Sequence, residues 1–173
     1  MLYGQETLAL IADLHGRRPA RSLPVLDDLF RRLPACRDAA LASETEDQIW
    51  ELWMHHPNRG ARQILDVATR DIAARRYDIA ETRLAGLVRN LPDFAEAWHK
   101  RATLYYLLAR DDECVGDIAR TLRLEPRHFG AMLHFAELLL VDGQRDAARL
   151  AFFQALRLNP HLARARDALL ELG

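Results

Sequence analysis

Arg89-Asn-Leu-Pro92, Arg123-Leu-Glu-Pro126 and Arg157-Leu-Asn-Pro160 are one phrase written three times, with prolines thirty-four residues apart. A constant step of this size marks a repeat architecture, in which each supersecondary unit buries its apolar face by stacking on its neighbours. Each proline closes an apolar run, where it stops a helix and lets the chain reverse. Phasing on the prolines starts the units at Ala61, Ala95 and Phe129, giving repeats over 61–94, 95–128 and 129–162.

Within the first unit Ile64, Leu65, Val67, Ala68 and Ile72 recur at steps of three and four, the period of a helix with one apolar face. A turn at Arg75-Arg-Tyr77 leads to a second face through Ile79, Ala80, Leu84, Leu87 and Val88. The pattern returns twice, with turns near Ala109-Arg-Asp-Asp112 and Val141-Asp-Gly-Gln144.

The columns also agree in residue type. The middle unit has Trp98, Ala102, Tyr105 and Pro126, and the third has Ala148, Phe152, Ala155 and Pro160. This combination resembles the tetratricopeptide repeat (TPR). Asp71 stands where the family has tyrosine, Arg101 where it has leucine and Cys114 where it has alanine. The resemblance implies an all-α, right-handed superhelical solenoid of antiparallel helix pairs, three units long over 61–173. It further implies that the first helices of the units line a peptide-binding groove. Carried over residue by residue, its lining is Arg62, Leu65, Thr69, Ile72 and Ala73; Glu96, His99, Thr103, Tyr106 and Leu107; Gly130, Leu133, Glu137, Leu140 and Val141. The carboxylate clamp of some family members is not reproduced, because its positions fall on Leu65, Thr69, Lys100, Gly130 and His134.

A solenoid needs polar outer faces at its ends. Leu162, Ala165, Leu169 and Leu172 oppose Arg164, Arg166, Asp167 and Glu171, which predicts a capping helix over 162–172. In the N-terminal helical segment, 1–60, Ser22-Leu-Pro24 opens a helix through Leu26, Leu29, Phe30 and Leu33 that Pro34 breaks. A longer helix from about Cys36 to His55 ends before Pro57 and carries the stripe Ile49, Trp50, Trp53 and Met54. Trp50 lies thirty-four residues before Leu84, so the pair reads as a degenerate hairpin, or cap, packed on the first repeat. The segments Leu23-Pro-Val-Leu-Asp-Asp-Leu-Phe30, Gln48-Ile-Trp-Glu-Leu-Trp-Met54 and 117–130 resemble small alphaproteobacterial TPR proteins, a likeness that implies an export signal in many relatives.

The 173 residues are half apolar and carry a net charge of −1, enough for one elongated domain with a substantial core. Arginines and acids are interspersed, so the one-sided basic surface of a nucleic-acid binder is absent. Glu6 and Asp13 interrupt the apolar run at Leu8–Ile11, which is therefore not read as a secretory signal, and no stretch is long enough for a membrane span. The expectation is a cytoplasmic protein, with a periplasmic location as the alternative if an export segment precedes this sequence. Cys36 and Cys114 fit either compartment, and Cys114 reads as a packed thiol. The arginines of 16–22 read as a solvated loop with Ser22 as a helix cap.

No phosphate loop, nucleophile elbow or CxxC pair is present, so no cofactor and no catalytic set are expected. His55 and His56 diverge by about a hundred degrees on a helix and do not share a metal; none is assigned. His128 and His161 read as turn residues, and Asp111-Asp-Glu113 as a helix start favoured by its dipole. The expected function is a non-catalytic adapter binding a protein or peptide segment with apolar anchors in the groove. The alternative is a self-associating structural protein, a homo-oligomer, with the groove filled by its own N-terminal segment or by another copy. A remote third reading is an enzyme using His99 as general base beside Glu96 and Tyr106.

Overall fold

A computed structural model describes residues 4–13, 17–21 and 23–173, which form ten α-helices and no strand. The proposed cap Ser22 lies outside the described residues. Three hairpins follow one another: α4 (Arg59–Ala73) with α5 (Tyr77–Asn90), α6 (Ala95–Leu107) with α7 (Asp111–Leu124), and α8 (Phe129–Val141) with α9 (Arg145–Leu158). They stack into a helical-repeat solenoid, α6 lying against α4, α5 and α8, and α10 (Ala163–Leu172) closes the far end on α9. No described helix is long and apolar enough to cross a membrane.

The turns inside the units repeat as faithfully as the prolines between them. Arg75, Ala109 and Gly143, thirty-four residues apart, all adopt positive φ (57°, 53° and 72°). In each unit the next amide donates back across the helix end, from Arg76 to the Asp71 carbonyl, Arg110 to Tyr105 and Gln144 to Leu139, at 2.8–2.9 Å. The amides of Arg75, Ala109 and Gly143 donate to the carbonyls of Ile72, Tyr106 and Leu140. This paired pattern satisfies carbonyls that a helix end otherwise leaves open.

Two of the three departures from the family pattern form ion pairs, and the third is packed away from water. Buried Asp71 faces Arg76 at 2.6 Å and Arg83 at 3.2 Å. In the next unit the same pair of columns holds Tyr105 and Arg110, whose guanidinium lies 4.4 Å from the ring centroid. Arg101 forks onto Asp117 at 2.7 and 2.8 Å. Burial pushes the Cys114 thiol up to about 12, consistent with a packed, inert side chain.

The N-terminal segment contributes α1 (Gly4–Ala12), α2 (Pro24–Arg32), a 3-10 turn at Leu33–Ala35 and α3 (Ala39–Met54). Asp38 caps α3 by accepting from the amides of Ala40 and Leu41. The expected docking of this segment on the first repeat differs from what is observed. It wraps the junction of units two and three: α1 packs on α7 and α9, while α3 lies on the opposite side against α6. Between them the chain crosses the edge of the stack. There Arg17 reaches the carbonyls of Leu122 and Arg123, the Ala20 amide donates to the Leu124 carbonyl, and Arg127 pairs with Asp27. The carbonyls and the cation used in these contacts all come from the middle unit, which a thirty-four-residue step along the sequence does not reveal.

Candidate functional site

The groove columns take different environments from unit to unit. Arg62, Glu96 and Gly130 share one column; Arg62 points to the His55 ring at 3.1 Å, whereas Glu96 is buried. Leu65 and His99 are buried, and Leu133 is half-buried. The Thr69 and Thr103 hydroxyls donate back to the carbonyls of Leu65 and His99, while Glu137, in the same column, pairs with Arg164 at 2.6 Å. Ile72, Tyr106 and Leu140 are half-buried; Ala73, Leu107 and Val141 are exposed. The open apolar stretch therefore lies toward the C-terminal ends of the first helices.

Their N-terminal halves in units two and three are covered by α3. Trp50 stacks on His99 at 5.8 Å, His99 on His134 at 5.3 Å and His134 on Tyr106 at 5.5 Å, so four rings cross from α3 through α6 to α8 and back to α6. Trp53 lies almost parallel on His128, at 4.1 Å and 10°. Both indoles also pack on Phe129. Gly130 makes this possible: a Cβ there would stand 2.6 Å from the Trp50 ring. Glu46 completes the seat, accepting from Trp50 Nε1 at 3.4 Å and from Asn159 Nδ2 at 2.8 Å.

Glu96 sits beneath these rings as a carboxylate with three donors. Lys100 Nζ lies 3.0 Å from Oε1, His99 Nδ1 3.4 Å from Oε1 and His128 Nε2 2.8 Å from Oε2. Burial opposes its charge, but His99, Lys100 and His128 outweigh it and hold the carboxyl well below the usual carboxylate range. Burial, then the neighbouring His128, lowers His99 to about 3; burial, then His128 and Arg164, lowers His134 to about 4. A ring held neutral to that depth matches poorly the near-neutral operating range of a general base, which weighs against the role considered for His99.

His128 Nδ1 accepts from the Ala131 amide at 3.1 Å and caps α8, so a neutral ring carries its proton on Nε2 and donates it to Glu96. Glu96, His99 and His128 do bring ligand-capable atoms within 4.8 Å of one another. Both His128 nitrogens are nevertheless engaged in hydrogen bonds, and the Lys100 ammonium already faces the carboxylate, so the arrangement reads as a hydrogen-bonded core of the groove. His99 Nε2 and Trp53 Nε1 are buried without a partner among the described residues.

The repeat columns assign Glu96 and His99 to the groove, whereas His128 reads only as a turn residue and His134 only as an unreproduced clamp position. The available signal was Gly130, a side-chain-free residue in a column that otherwise holds Arg62 and Glu96.

No family model matches the chain. A curated TPR repeat-containing protein of the alphaproteobacterium Rhizobium etli is similar to it, 31% identical over 146 residues that cover 83% of this chain and 72% of the relative.

Proposed function

The chain belongs to the tetratricopeptide repeat proteins, and from that premise we propose that it is a protein-interaction adapter whose groove takes an apolar segment of a partner. The observation that carries this reading is the stretch Ile72, Tyr106, Leu107, Leu133 and Leu140, half-buried or exposed beside α3 on the first helices. A segment with apolar anchors at helical spacing covers such a stretch by the helix-in-groove mode. Polar recognition falls to Glu137 and Arg164, which stand at its third-unit end.

A photo-crosslinker at Leu107 in cells, followed by identification of the attached peptide, tests it. The synthetic peptide should bind the wild-type chain and lose at least about tenfold in affinity to Leu107→Asp, a cost of roughly 1.4 kcal/mol or more, with circular dichroism unchanged. Equal affinity would remove the groove from the reading.

A second reading, favoured by the close approach of Trp50 to Gly130, makes the groove structural, with α3 as permanent occupant and other copies of the chain as partners. Light scattering over a concentration range separates the two, because a strict monomer leaves no self-association to explain.

A further inference from the structure

We infer that α3 is an internal stand-in for the groove's ligand. The ligand itself is then an amphipathic helix with two aromatic side chains one turn apart and a carboxylate four residues before the first. This rests on the adapter reading above and names the partner's chemistry.

The seat on α6 and α8 is built for that pattern. Trp50 and Trp53 are three residues apart and fall on one helix face. Each stacks on an imidazole, Trp50 on His99 and Trp53 on His128, and Trp50 also meets the His128 ring edge-on at 5.6 Å. Glu46, one turn before Trp50, meets Asn159 Nδ2. Gly130 clears the space that the first aromatic needs. Lys100, with its ammonium 5.5 Å from the Trp50 ring centroid, adds a cation–π contact to that ring. These receptor groups come from α6, the α7–α8 and α9–α10 turns and α8, so the seat is complete without the first unit.

The fit of α3 is also imperfect. Trp53 Nε1 and His99 Nε2 lie inside the docked face, more than nine-tenths buried and without a hydrogen-bond partner among the described residues. Such atoms oppose docking, because release returns them to water. A partner helix that offers a donor to His99 Nε2 removes the His99 defect while keeping the aromatic contacts. An open cleft lined by Asp47, Trp50, Glu51, Arg62 and Asp66 lies between α3 and α4, and Met54 at the end of α3 packs on the first unit's core, so displacement of α3 loosens that contact as well.

The probe is the synthetic peptide of residues 39–54, added to the full chain. An apparent dissociation constant rises in inverse proportion to the fraction of time the site is open. The peptide should therefore bind the Trp50→Ala, Trp53→Ala chain at least about tenfold more tightly than wild type, and adding Gly130→Val should abolish the gain. No binding to the folded double variant, or equal binding to both chains, overturns the inference while leaving the Leu107 surface untouched. Hydrogen exchange on the wild-type chain is the second measurement and does not depend on the variants. Exchange of α3 amides by an opening that spares α6 and α8 is expected, and exchange of α3 only with global unfolding overturns it. A concentration-dependent wild-type dimer in which α3 swaps between chains also overturns it, assigning the seat to a second copy.

Discussion

The described residues form two hydrophobic cores, and they are held together differently. The smaller is the first unit with the adjoining side of α6, centred on Ala61, Leu65, Ala68, Ala80, Leu84 and Leu87. It is a stacked hairpin made almost wholly from neighbours in sequence. The larger joins Ile11, Leu26, Leu29, Ile49 and Trp53 to Phe129, Phe135, Phe152 and the capping Leu172. Residues more than a hundred positions apart meet there, as in the contacts of Arg17 and of Glu46. The same repeat thus yields a locally built unit at one end and a clasped pair of units at the other.

The sharpest test is to weaken each core alone. Trp53→Ala removes a side chain that is 7% exposed and should cost about 3–5 kcal/mol, and Leu84→Ala about 2–5 kcal/mol. If the cores are separable, Leu84→Ala lets the first unit melt early. In a Trp98→Phe background, which removes the indole packed on the smaller core, circular dichroism in urea should then show loss of helix before the fluorescence of Trp50 and Trp53 changes. Coincident transitions for both probes would merge the two regions into one cooperative body.

Gly130→Ala probes the clasp. A glycine-to-alanine change inside a helix ordinarily gains about 1 kcal/mol, but here it should cost on the order of 1–3 kcal/mol by overpacking against Trp50. In a Trp50→Ala background the sign should revert to stabilising, so a double-mutant cycle in denaturant reads the coupling directly.

His56 stands at the hinge between the regions, its ring 4.7 Å from Phe94 and its Nδ1 accepting from the Asn58 amide. Burial first, then the charge of Arg21, lowers its pKa below 6.5, with Asp93 opposing and His55 and Arg62 adding to the effect. Below pH 6.5 the unfolded chain therefore binds a proton that the folded chain refuses. Its contribution should be full above that value and fall as pH drops below it, by at most about 1.4 kcal/mol per pH unit. Urea midpoints for wild type and His56→Asn across that window should diverge, and parallel curves would show that the hinge does not titrate in this way.

The smallest effects belong to the turns. Ala109 and Arg75 hold φ values that L residues resist at about 1 kcal/mol each. Ala109→Gly should therefore stabilise the clasped region, and Arg75→Gly the first unit, by about 0.5–1 kcal/mol each in thermal melts.

The prolines and the recurring turns were legible because they are local: a stop signal and a left-handed residue act within four or five positions. The ion pairs at Asp71 and Arg101 were visible only as departures, since Arg83 and Asp117 lie twelve and sixteen residues away in sequence. The seat of α3 was less legible still. A stripe of Ile49, Trp50 and Trp53 says that one face is buried but not against which unit, and the choice was made by Phe129, His128 and the absent side chain of Gly130. The exposed Val141, carried over as a groove residue, also borders a cleft with Ala109, Asp111 and Leu138 at the turn end.

The wrapped N-terminal segment also sets an order in time. A repeat array is normally quick to fold because its contacts are short-range, yet here Glu46 waits for Asn159 and Asp27 for Arg127. At a synthesis rate of about 5–20 residues per second, Trp53 is made roughly 5–20 seconds before the last of its neighbouring strandless scaffold emerges. During that interval two tryptophans and the apolar face of α2 have no seat, while the first unit can already close on itself. Apolar surface that the finished fold buries is thus exposed during synthesis in the very segment that later becomes the clasp.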